Sequence, residues 1–292
     1  MSSDGPVPFD GSPHSISIGV RKLDVTQWLA LDDRAAKLAE KSALRATALD
    51  QIVATLRGSE AGGDEVLHMI VSHLNERDLV RVEGTSINDL PTGNRVETLG
   101  VHPLDAAAQL VGEDLCLMEV RPDEGPHYLL TAASVSFPSR WRLADKIGTS
   151  LQAIHRPVPG YETIEAATNR LFEAITVGRP LQRVNWTLID DPDLFQPEPA
   201  RRGADHAVRE EFDDPAHQVH LRIERQTLRR LPHTGGVLFT IDTDVRPLSA
   251  LSADQRVDLS GSLEGVDSVT VGYKGWSVLL PAVRQWAETA PS

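Results

Sequence analysis

The stretch from Val219 to Leu231 carries the densest set of groups able to do chemistry. Read as a strand, it alternates its side chains between two faces. Val219, Leu221, Ile223, Arg225, Thr227 and Arg229 share one face, and His220, Arg222, Glu224, Gln226, Leu228 and Arg230 the other. The first face begins apolar and then presents arginine and threonine. A buried guanidinium is costly unless it is paired or bound to an anion. Arg225 therefore points into a pocket for an anionic or polar ligand, pairs with a core carboxylate, or lies where the strand runs out into water.

The second focus is His155. It ends a helical pattern and is followed by Arg156-Pro157-Val158-Pro159-Gly160-Tyr161, a segment a helix cannot cross. A stiff backbone beside an imidazole suits a single axial ligand to a cofactor iron. A protonated histidine is also favourable at a helix C-terminus, so spacing alone leaves both readings open. The other histidines stand in no strong metal motif: His68 and His73 diverge around one helix, and His217-x-x-His220 matches no standard site.

Other signatures are missing. The chain contains no G-x-S-x-G, no P-loop and no G-x-G-x-x-G opening a helix. Cys116, the only cysteine, lies in the apolar run Leu115-Cys116-Leu117-Met118 and reads as a buried, inert thiol. With one cysteine, neither an intramolecular disulfide nor a Cys-ligated iron–sulfur cluster can form within the chain. That usage fits a reducing cytoplasm. Among 292 residues, 29 are basic and 42 acidic, a net charge of −13, which disfavours nucleic acid and anionic membrane surfaces as partners. No apolar run is long enough to span a bilayer, and the N-terminus does not read as a secretory signal.

These groups must be held by an ordered framework. Residues 1–22 begin with a tract rich in Ser, Gly and Pro and read as a flexible terminus. Helical spacing then runs from Asp24 to Arg57 and again over residues 64–75, followed by a mixed stretch over 83–105 that reads as irregular or as short strands. Strands are expected at 115–120, 128–135, 183–189, 219–231 and 236–244. Helices are expected at 143–155, 162–175, 252–263 and 280–288, with Pro281 tolerated in a first turn. The order predicts an α+β fold: an antiparallel sheet with helices on one face, and helical additions at both ends. A helical region over 23–110 would precede a core over 111–292.

Several ordered segments resemble a known family: Phe137-Pro138-Ser139-Arg140-Trp141, the His155 segment from Ile154 to Tyr161, Arg183-Val184-Asn185-Trp186, and Arg222 to Pro232 followed by Leu238-Phe239-Thr240-Ile241. Together, from about Asp24 to Trp286, they are similar to the haem-dependent oxidative N-demethylase α-subunit-like family. The resemblance implies a PAS-like fold binding haem b. It also implies a monooxygenase that uses O2 and NADPH to demethylate a small amine such as dimethylamine, releasing formaldehyde. Family complexes also contain FMN, a 2Fe–2S centre and tetrahydrofolate. With a single cysteine here, electrons would arrive from a separate flavin/iron–sulfur reductase subunit.

The resemblance makes His155 the expected iron ligand and Arg225 and Thr227 the expected haem-pocket or distal groups, with Glu224 a third catalytic candidate. Arg183 and Asn185 are candidates on the adjoining strand, and Arg140 and Arg156 are cations for the haem propionates. For the amine, Glu224, Glu65, Tyr161, Trp141 and Trp186 all have suitable chemistry. A non-catalytic haem-PAS sensor and a haem-free structural subunit are the alternatives.

Overall fold

The structure, a computed structural model, describes residues 7–14, 18–198 and 211–289. Its centre is a seven-stranded antiparallel sheet. In chain order the strands are β1 (Arg21–Lys22), β2 (Val53–Thr55), β6 (Asp114–Val120), β7 (Tyr128–Ser134), β8 (Leu181–Ile189), β9 (His220–Arg230) and β10 (Val237–Pro247), and across the sheet they lie β1-β8-β9-β10-β6-β7-β2. A separate three-stranded meander, β3 (Val80–Glu83), β4 (Ser86–Asp89) and β5 (Arg95–Glu97), occupies much of the stretch read as mixed.

Helices α1 (Arg34–Ile52), α2 (Glu60–Asn75) and α3 (Pro103–Ala108) come first. Then come α4 (Leu151–His155) and α5 (Tyr161–Ala174), a short α6 (Pro215–Gln218), and finally α7 (Ala253–Leu263), α8 (Ser268–Lys274) and α9 (Leu279–Glu288). Helix α7 starts on a capping box: the Ser252 hydroxyl accepts from the Gln255 amide, and the Gln255 side chain accepts from the Ser252 amide.

The α+β expectation holds, but the helices cover both faces of the sheet. Leu115, Leu117 and Leu238 pack with Val66, Ile70 and Leu104 on one side. Cys116, Met118 and Val237 pack with Leu151 and Phe172 on the other. A strand apolar on both alternating sets must be buried twice. Near β8 and β9, Leu221 and Ile223 meet Leu259, Leu263 and Trp276 of the C-terminal region.

Three local expectations change. The helix read from Asp24 to Arg57 is a 3-10 turn at Val25–Gln27, capped by Asp24, and then α1 from Arg34, which stops at Ile52 because Val53–Thr55 pairs with β7 as an edge strand. The helix read over 143–155 is a 3-10 turn, Leu143–Asp145, and then α4. Between them Gly148, at φ 74°, and Ser150, bridged to Leu129, turn the backbone against β7. Residues 7–14 are packed rather than loose: Phe9 is buried edge-on against Trp186 with centroids 5.3 Å apart, and the His14 amide donates to Ser262 O at 3.0 Å. Of the rest of residues 1–22, the tract read as a flexible terminus, residues 18–22 lead into β1, which pairs with β8, and residues 1–6 and 15–17 lie outside the described residues. The first part of the chain also supplies β1 and β2 to the sheet, so its strands are shared with the core.

Candidate functional site

Register places the site. β8 and β9 pair so that Arg183 faces Gln226, Asn185 faces Glu224 and Thr187 faces Arg222. All six side chains line a cavity of about 620 Å³. This lies within the roughly 300–1,000 Å³ of sites for cofactors and small ligands. Further across the sheet the floor becomes apolar, through Leu228, Phe239, Cys116 and Met118. Helices α4 and α5 form the roof, and residues 8–14 close one side.

His155 stands in this wall at the end of α4. Its ring stacks on Tyr161, centroids 4.9 Å apart and planes 13° from parallel. Its Nδ1 lies 2.8 Å from the Leu151 carbonyl oxygen. A carbonyl only accepts, so Nδ1 carries the proton and Nε2 keeps its lone pair. Burial pushes the imidazole below its usual pKa, the Leu151 bond opposes this, and the charges of Arg183 and Lys146 push further down. The result is a neutral, oriented imidazole, the form a metal ligand requires.

The same strand alternation corrects the reading of β9. Arg225 and Thr227 face away from the cavity. Arg225 donates to Trp28 O at 3.0 Å and also to Gln27 O, tying the entry of the chain to the sheet. Thr227 is fully buried, its hydroxyl 2.6 Å from that of Thr240. The apolar residues that begin their face, Leu221 and Ile223, pack against C-terminal helices, not against a ligand chamber.

Glu224 does face the cavity, together with Arg183 and Asn185. Arg140 also reaches its edge, but its guanidinium pairs with Asp190 at 3.0 Å, and its backbone holds φ 59°. Arg156 is exposed and outside the lining. Of the amine candidates, Tyr161, Trp141 and Trp186 line the cavity. Glu65 lies elsewhere and accepts from the amides of His233 and Thr234, capping the β9–β10 turn.

Arg222 and Gln226 are site residues that the sequence reading passed over. Arg222 is fully buried and donates to Phe137 O at 2.6 Å and Leu194 O at 3.2 Å. The available signal was the other parity of β9, where an arginine, a glutamate and a glutamine alternate in the middle of an eleven-residue strand. Cys116 is buried and its thiol is pushed far up by that burial, as expected of an inert residue. Among the described residues no helix is long and apolar enough to cross a membrane, and no group of three or more His, Cys, Asp or Glu could hold a metal ion.

The geometry defines a cavity with an apolar half, a charged half and one neutral, oriented imidazole in its wall, the features of a site for a cofactor or small ligand. The model of the family described as haem-dependent oxidative N-demethylase, alpha subunit-like, matches residues 19–284, and the chain belongs to that family. Membership gives haem dependence and an oxidative N-demethylase class. The residues fit such a group: His155, with Nδ1 bonded to Leu151, would offer Nε2 to its iron, and Met118, Leu130, Phe172, Leu228 and Phe239 would give apolar surface for a macrocycle.

Proposed function

We propose that this chain is the haem-bearing subunit of a monooxygenase that removes an N-methyl group from a small amine. The observation that carries the reading is His155: a cavity-wall imidazole whose Nδ1–H is fixed by Leu151 and whose Nε2 is left to bind iron. A haem held there would supply the activation of O2.

The overall balance is a tertiary or secondary N-methylamine, O2, two electrons and two protons giving the demethylated amine, formaldehyde and water. Oxygen enters the methyl C–H bond, and the C–N bond of the resulting carbinolamine then breaks. The electrons come from NADPH through a separate flavin/iron–sulfur reductase, since one cysteine cannot hold a cluster. Glu224 is the cavity carboxylate suited to an ammonium ion, and the roof formed by α4 and α5 limits water above the apolar floor. Arg140 is paired and Arg156 exposed, whereas Arg183 lines the cavity with a buried Nε that has no hydrogen-bond partner among the described residues. The PAS-like description of the fold belongs to this same reading.

The test is expression in haem-replete cells, an absorption spectrum, and formaldehyde release with NADPH and an added flavin/iron–sulfur reductase. A Soret band with stoichiometric formaldehyde supports the proposal. A protein that stays colourless after haem reconstitution overturns it, and a haem protein that releases no formaldehyde with any reductase supplied reduces it to a ligand-binding role.

A further inference from the structure

The charged half of the cavity holds two opposite charges that do not meet. Asn185 faces Glu224 and Arg183 faces Gln226, so Arg183 and Glu224 are diagonal neighbours on β8 and β9. Such residues are separated by roughly 7–8 Å along a pleated sheet. Among the described residues no direct ion pair joins them.

Arg183 is poorly served for a cation on a cavity floor. Its Nε is buried with no hydrogen-bond partner. Burial lowers its pKa, and the charge of Glu224 offsets this only in part. Glu224 is paired with the fully buried Arg222 and keeps part of its carboxylate open to the cavity, so the pair leaves the charge of Arg183 unmatched. Glu224 receives Gln226 Nε2 at 3.1 Å, while Asn185 Nδ2 and Arg222 Nε are both 3.5 Å away. Each Nη of Arg222 gives one bond to a carbonyl, Phe137 O or Leu194 O, while its Nε faces Glu224.

A simple ammonium ion would satisfy Glu224 and leave the guanidinium desolvated and uncompensated, an arrangement that proteins avoid. A ligand with its own carboxylate a few bonds from the nitrogen would answer both groups at once, the arginine donating to it in a two-point contact. Resting on the functional reading above, we infer that the substrate is a zwitterion, an N-methylated amino acid, with its ammonium on Glu224 and its carboxylate on Arg183. The site thereby discriminates against dimethylamine, because polar groups built for a partner reject an analogue that lacks it.

The experiment is calorimetric titration of the purified chain with N,N-dimethylglycine, dimethylammonium and acetate, with haem content measured on the same sample. Dimethylglycine should bind about tenfold more tightly than dimethylammonium, or better. Arg183→Leu should bring the two within about twofold, Arg183→Lys should restore part of the preference, and Glu224→Gln should weaken both nitrogen ligands.

The inference is overturned if wild-type protein binds dimethylammonium as tightly as dimethylglycine, or binds neither. It is equally overturned if Arg183→Leu retains the preference while losing haem, which would assign the arginine to a propionate. Calorimetry reads the preference without a Soret band. A colourless protein that prefers the zwitterion therefore sinks the monooxygenase reading alone, and a haem protein that prefers dimethylammonium sinks this inference alone.

Discussion

The imidazole of His155 and the carbonyl of Leu151, one helical turn earlier, are joined by a 2.8 Å hydrogen bond. That bond selects the tautomer, and the stack on Tyr161 holds the ring plane. His155→Ala should lower haem retained per chain about tenfold or more, while far-ultraviolet circular dichroism stays unchanged. Unaltered haem content with an unchanged ferric spectrum would remove His155 as the ligand.

Gly261 on α7 lies under the segment that closes the cavity. A Cβ there would sit 2.6 Å from the carbonyl oxygen of Gly11, a backbone atom that cannot swing aside. Helix propensity alone would make Gly261→Ala stabilising by about 1 kcal/mol. The contact reverses the sign: the variant should melt lower, and residues 7–14 should be cleaved faster by protease. A raised melting temperature would show that the segment does not pack there.

Arg225 is a tie between the sheet and the backbone at Gln27 and Trp28. Arg225→Met should cost about 1.5–3 kcal/mol in urea denaturation, the range for hydrogen bonds from a charged donor. The Soret maximum and ligand affinity of the folded variant should match wild type. A shifted Soret band would return Arg225 to the cavity side.

His73 packs edge-on against Trp28, with centroids 5.4 Å apart. Its pKa is lowered from 6.5 to about 4, by burial first and then by the charges of Arg77 and Arg229. The folded protein therefore keeps it neutral where the unfolded chain protonates it. The stability tied to this group is present above pH 6.5 and is lost as pH falls toward 4. His73→Phe keeps a ring on Trp28 and removes the proton, so its urea midpoint should fall less between pH 7 and pH 5 than that of wild type. Parallel pH profiles would place the acid sensitivity elsewhere.

Much of this was legible in the residues. The long strand around Ile223, the neutral run around Cys116 and the stop after His155 each follow from alternation, apolarity or proline, which are local properties. His155 was accessible because its motif and its place at a helix end lie in one short stretch. The parity of β9 was not accessible. Alternation separates Arg225 from Glu224 but does not say which layer will lie over which set, and an apolar start made the wrong face look like the inner one.

The amino-acid order alone determined most helix and strand types, the single thiol, the acid balance and the imidazole at a fixed helix end, because each depends on residues near one another in the chain. Only the tertiary structure decided that β2 joins the sheet, that Phe9 closes the cavity, and that Arg183 and Glu224 share a floor. Those outcomes depend on pairing between segments far apart in sequence. A chain's local pattern specifies what each face can bury, and the register of distant strands decides what it meets.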